Sequence, residues 1–144
     1  MNINDLFKKI GITENEYFLT GSRALDNKDL NYKISTDESD YDYVVSIHRR
    51  HTIINYLTMN KIKIDFSCYN GGFKFHIDKK LFNIITCIPI EFIAWRESLN
   101  IIKYFIKTDN LYRKALTKKA VRYSIYEQLR GLCKSIITFG DISR

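Results

Sequence analysis

The stretch Ser39-Asp40-Tyr41-Asp42-Tyr43-Val44-Val45-Ser46 restricts this chain most. Carboxylates alternate with tyrosines, and a β-branched pair follows. Successive side chains of a strand point to opposite faces, so Asp40, Asp42, Val44 and Ser46 share one face. Earlier in the chain, Tyr17-Phe18-Leu19-Thr20 is a short apolar strand that ends in Gly21-Ser22. A Gly-Ser turn after one strand, followed by two carboxylates on one face of the next, suits a nucleoside triphosphate and its magnesium.

The rest of the chain supplies a scaffold for that pair. Residues 3–10 place Ile3, Leu6, Phe7 and Ile10 at helical spacing, and Gly11 ends the run. Ser22 is placed to cap a short helix beginning at Arg23-Ala24-Leu25. Residues 26–39 are polar and turn-like. The second strand is expected over Asp40–Ile47, and a helix over residues 51–59, with Ile53, Ile54 and Leu57 on one side. Three strands then follow. Lys61–Tyr69 has Ile62, Ile64 and Phe66 on one face, Phe73–Ile77 has Phe73, Phe75 and Ile77, and Leu81–Ile88 is apolar throughout. Asn70-Gly71-Gly72 and Asp78-Lys79-Lys80 mark the turns of an antiparallel meander.

Pro89 stops the last strand and suits the start of a helix. Phe92, Trp95, Leu99, Ile102 and Ile106 form an apolar stripe over residues 91–107. Thr108-Asp109-Asn110 breaks it, and a second helical pattern runs over 111–138. Strands first and helices last predict an α+β domain. It has a mixed β-sheet with helices packed on one side and a helical C-terminal segment. One domain spans 1–144, strand-rich over 1–88 and helical over 89–144.

No apolar run reaches the roughly 18–20 residues a bilayer requires. Asp5, Lys8 and Lys9 interrupt the N-terminus, so no signal peptide is expected. The expected location is the cytoplasm, the host cytoplasm for a phage-encoded chain. Cys68, Cys87 and Cys133 are widely spaced, form no Cys-x-x-Cys pair and make no zinc pattern with His48, His51 and His76. They read as reduced structural thiols. The formal net charge of +7 is unevenly spread: −4 over residues 1–47, +5 over 48–110 and +6 over 111–144. An acidic front concentrates a divalent cation, and a basic back attracts a polyanion.

Nucleotidyl transfer is mostly positioning and charge neutralisation. Magnesium takes oxygen ligands, often only one or two carboxylates from the protein. Asp40 and Asp42 present two to one side. Gly21 lets the backbone approach a phosphate, Ser22 adds a hydroxyl at a helix N-terminus, and Arg23 adds charge.

Thr20-Gly21-Ser22 with Ser39-Asp40-Tyr41-Asp42-Tyr43 resembles the signature of the DNA polymerase β superfamily of nucleotidyltransferases: an apolar residue, Gly-Ser, a spacer and Asp-x-Asp. Asn70-Gly71-Gly72-Phe73-Lys74-Phe75, Phe82-Asn83-Ile84-Ile85 and Glu91-Phe92 with Trp95 look like small single-domain members of phage type. The likeness covers roughly residues 17–130. It implies a metal-dependent nucleotidyltransferase that transfers a nucleoside monophosphate from an NTP such as ATP to a hydroxyl acceptor, with Mg²⁺ or Mn²⁺. The implied metal ligands are Asp40 and Asp42. Gly21, Ser22, Arg23 and Asn83 would bind the nucleotide. The acceptor would be RNA, particularly a tRNA end, or a protein; a small molecule ranks third.

Two departures stand out. The spacer between Ser22 and Asp40 is longer than usual for the family, so a loop is expected over the site. The family's third acid falls at Asn83, an amide that is no general base. Asp65, on the polar face of its strand, is the substitute, and the catalytic set becomes Asp40, Asp42 and Asp65. Asn83 also motivates the alternative, a degenerate member that binds or inhibits a host protein or nucleic acid. Finally, Lys114, Lys118, Arg122, Tyr126, Arg130 and Lys134 recur every four residues, a slow spiral along a helix. Lys114, Lys118, Arg122 and Arg130 are the candidate RNA contacts there.

Overall fold

A computed structural model describes residues 2–67, 72–116 and 125–139. The elements are α1 (Ile3–Lys9), β1 (Tyr17–Thr20), α2 (Gly21–Leu25), β2 (Tyr41–Ser46), α3 (Arg50–Met59), β3 (Ile64–Asp65), β4 (Phe73–Ile77), β5 (Lys80–Cys87), α4 (Pro89–Thr108), α5 (Asn110–Leu116) and α6 (Ile125–Phe139). The fold is α+β. The five strands form one mixed sheet in the order β1-β2-β5-β4-β3. β2 and β5 run parallel, whereas β5, β4 and β3 form the antiparallel meander.

The chain divides into two compact units, residues 1–19 with 40–89 and residues 20–39 with 90–144. In the first, a core cluster joins Ile3, Leu6 and Phe7 of α1 and Ile53 and Leu57 of α3 to Tyr43, Val45, Phe73, Phe75, Phe82 and Ile84 of the strands. These strand residues alternate, as one sheet face requires. Asn2 caps α1 by accepting the Asp5 amide at 2.9 Å, and Lys8 and Lys9 complement the negative end of the helix dipole. Glu16 and Arg49 form an ion pair, and the Arg49 guanidinium holds the Glu16 carboxyl below its ordinary range.

The meander is shorter than its sequence pattern suggests. Ile62, Ile64 and Phe66 alternate, yet β3 holds only Ile64 and Asp65, paired with Phe75 and Lys74. The Ser67 amide turns back to the Asp65 carboxylate at 2.9 Å, which stops the strand, and Phe66 is left 53% exposed. β2 likewise stops at Ser46, because Ile47 begins a 3₁₀ turn.

In the second unit, Pro89 opens α4, and Phe92, Trp95, Leu99, Ile102 and Ile106 are all buried. Asp109 accepts the Leu111 and Tyr112 amides at 3.0 and 3.1 Å and so starts α5 as a new helix. The Trp95 Nε1–H donates to Thr20 Oγ1 at 2.9 Å inside the core. Replacing Thr20 with valine keeps the shape and strands that donor. Thr20→Val is expected to cost about 1–3 kcal/mol, read as a lower urea midpoint at an unchanged m-value. An unchanged midpoint would show that the bond contributes nothing.

Ser22 does not cap α2. The helix begins two residues earlier than Arg23, at Gly21, with Thr20 as the flanking residue. Gly21 has φ +72°, a value that favours glycine. The segment 26–39 is tied down. Asp26 accepts the Ile34 and Ser35 amides at 2.9 and 3.1 Å and the Ser35 hydroxyl. The Arg23 guanidinium donates to the carbonyls of Thr36 and Ser39.

Candidate functional site

The face of the sheet opposite the core cluster carries a polar row. Register pairs Asp42 of β2 with Asn83 of β5, Asn83 with Lys74 of β4, and Lys74 with Asp65 of β3. Four strands therefore contribute one polar residue each, at the same level, on the same face. Further along this face Val44, Ile85 and Cys87 are buried. The row thus sits where the face turns from apolar to accessible, and Asp42, Asn83 and Lys74 are half-buried.

Local contacts fix the row. Asn83 Nδ2 donates to Asp42 Oδ1 at 3.1 Å. The Lys74 ammonium lies 3.6 Å from Asp40 Oδ2, with both side chains about one-third exposed. This contact brings Asp40, which precedes β2, onto the same face as Asp42. Asp65 is fully exposed, and its carboxyl is held below the usual range chiefly by Ser67, with Lys74 and Lys63 adding to the effect.

The charge balance decides what the row accommodates. Exposed pairs such as Asp40–Lys74 contribute about 0–1 kcal/mol, so a polyphosphate with a divalent cation can displace the contact at little cost. Asp42 of β2 and Asp40, just before it, offer hard oxygen donors two residues apart. That donor set fits a magnesium ion whose remaining ligands are phosphate oxygens and water. Among the described residues no three His, Cys, Asp or Glu side chains group as an all-protein metal cage, a demand magnesium does not make.

Asp40, Asp42, Asn83 and Asp65 thus all belong to the first unit and lie along this row. Gly21, Ser22 and Arg23 belong to the second unit. There Gly21 is buried at the start of α2, while Arg23 is engaged by the carbonyls of the 36–39 turn. Lys114 is exposed on α5 and Arg130 is half-buried on α6; Lys118 and Arg122 lie outside the described residues. Of the thiols, Cys87 and Cys133 are free and buried, and Cys68 lies outside the described residues. Among the described residues no helix is long and apolar enough to cross a membrane.

Sequence reasoning missed Lys74. Its signal was present in Phe73-Lys74-Phe75, where one lysine interrupts two core aromatics and must face the other way. That its face is also the face of Asp42 follows only from the pairing of β2 with β5 and β5 with β4.

No protein-family model matches the chain, and no curated protein matches its sequence. Among solved structures, the chain is similar to the antibiotic-resistance factor ANT(2″)-Ia in its solution structure. The identity is 12%, the match covers 85% of this chain and 82% of that one, and the TM-score is 0.41.

Proposed function

We propose that the chain is a metal-dependent nucleotidyltransferase that moves a nucleoside monophosphate from an NTP to a hydroxyl acceptor. The observation that carries this reading is the alignment of Asp42 with Asn83 and of Asp40 with Lys74 on one accessible sheet face. The Gly21-Ser22…Asp40-x-Asp42 pattern supports it independently.

In this reading Asp40 and Asp42 hold a magnesium or manganese ion, which neutralises phosphate charge and lowers the barrier at the α-phosphorus. Asn83 orients the Asp42 carboxylate through its amide hydrogen bond. Lys74 releases Asp40 and adds positive charge beside the triphosphate. Gly21 and Ser22 hold phosphate oxygens through backbone amides and the hydroxyl. The acceptor oxygen bonds to the α-phosphorus, the bond to the β-bridging oxygen breaks, and pyrophosphate leaves. Asn83 cannot take the hydroxyl proton, and Asp65, with its carboxyl held down, is a weak base. The proton passes to water.

Incubation with α-labelled and γ-labelled NTPs, Mg²⁺ or Mn²⁺, and total RNA or cell lysate tests the reading. Label on an acceptor from the α-position alone is the expected result. Transfer from the γ-position would make the protein a phosphotransferase and overturn it.

One observation favours the second reading, a binding protein without turnover. Asn83 satisfies Asp42 and Lys74 neutralises Asp40 with no metal required. Asn83→Asp separates the two. It replaces a donor with a third carboxylate and is expected to cost about 1–3 kcal/mol of metal-free stability. Mn²⁺ should restore that stability, and transfer should rise about tenfold, since ligand charge tunes cation affinity. Stability indifferent to Mn²⁺ would leave the binding reading in place.

A further inference from the structure

The second unit holds a groove that the carboxylate row does not use. It lies between the end of α2 and the last turns of α4, has a volume of about 330 Å³, and is lined by Asp26, Asn27, Asn100, Lys103, Tyr104 and Lys107 among others. On α4, residues 100, 103, 104 and 107 share one face by the three-and-four spacing. It adjoins the buried stripe of Leu99, Ile102 and Ile106, and Ile106 itself lines the groove.

Three features give this groove a chemistry. It is net cationic: Lys103 and Lys107 are exposed one turn apart against a single carboxylate, Asp26, which is held in place by the Ile34 and Ser35 amides and the Ser35 hydroxyl. It has a stacking surface in Tyr104, which is 63% exposed, and Phe105, outside the lining, is 44% exposed. The rings of Tyr104, Phe105 and Tyr112 follow one another at centroid distances of 6.0 and 5.6 Å. It also has the side-chain amide of Asn100, which both donates and accepts, and that of Asn27, whose oxygen accepts from the Leu30 amide at 3.2 Å and whose NH₂ remains a donor.

An exposed aromatic ring and two exposed lysines line the groove together. They match a chain that alternates flat bases with phosphates, for which stacking and charge supply affinity together. Amides that donate and accept suit a 2′-hydroxyl, the group that tells RNA from DNA. We propose that this groove binds single-stranded RNA, with Tyr104 stacking a base and Lys103 and Lys107 contacting phosphates. The inference stands on the second unit alone and holds whether or not the carboxylate row turns over.

The test is fluorescence anisotropy of a labelled single-stranded RNA of about 12 nucleotides, within the usual site-size range, titrated with the full chain without NTP or divalent metal. Binding that weakens with salt is expected. Lys103→Ala with Lys107→Ala should flatten the log–log salt slope by about 1.4, roughly 0.7 for each phosphate of a single strand that is no longer neutralised. Tyr104→Ala should weaken binding about tenfold or more by removing one stacked base. Lys8→Ala with Lys9→Ala removes equal charge from α1 and should leave the slope nearly unchanged. DNA of the same sequence should bind several-fold more weakly. No binding at low salt, or a slope indifferent to Lys103 and Lys107, would overturn the site. Equal affinity for DNA would overturn the assignment to RNA.

Discussion

Replacing Asp42 with alanine is expected to lower nucleotidyl transfer by about a thousandfold. A cation at a transferring phosphoryl group contributes several kcal/mol of transition-state stabilisation. A loss of about 4 kcal/mol is a factor of about a thousand in rate. Asp42 is central to the row, because Asn83 is hydrogen-bonded to it and β5 is in register beside it. Asp40→Ala should act in the same direction and also release Lys74 from its partner. Neither change touches the main core cluster, so both variants should keep their urea midpoint within about 1 kcal/mol. The check is kcat and KM measured separately on folded protein. An Asp42→Ala enzyme within tenfold of wild type would remove Asp42 from the chemistry.

The largest expected loss of stability is at Phe7. Its side chain is fully buried, with its ring 4.5 Å from that of Tyr17 and edge-on to Tyr43 at 5.9 Å. It ties α1 to β1 and β2 at once, and β2 carries Asp42 of the row. Phe7→Ala is expected to cost about 3–5 kcal/mol, roughly a fifth or more of a typical domain's stability of about 5–15 kcal/mol. The loss should appear as a lower urea midpoint with an unchanged m-value. A shift below about 1 kcal/mol would mean that the cluster closes over the gap.

Elements with an uninterrupted period were legible in the sequence. Leu6 and Phe7, Ile53 and Leu57, and the stripe from Phe92 to Ile106 all bury as their spacing predicts. Alternation over-extended β3, because Ile62, Ile64 and Phe66 repeat correctly while the partner strand pairs only two residues. Strand length is set by what lies alongside, which no local pattern contains. The start of α2 was misplaced for a conformational reason. Gly21 at φ +72° lets the helix begin before the serine that would otherwise cap it.

The candidate site divides in the same way. Asp40 and Asp42 are visible as a strand face. Their neighbours are not, since Asn83 reaches Asp42 through parallel pairing of strands separated by a helix and a hairpin, and Lys74 reaches Asp40 one strand further on. The 26–39 segment reads as an open polar loop, yet Asp26 and Arg23 fasten it at both ends with hydrogen bonds between residues eight to sixteen positions apart. Side-chain pairs at such separations leave no periodic trace.

Manganese uptake, followed by electron paramagnetic resonance in the presence of NTP, tests the central claim that Asp40 and Asp42 hold the cation that brings the triphosphate. The wild-type chain should take up about one Mn²⁺ together with NTP, and the Asp40→Ala, Asp42→Ala double variant should do so at least tenfold more weakly. Equal uptake by both proteins, or none by the wild type, would contradict it.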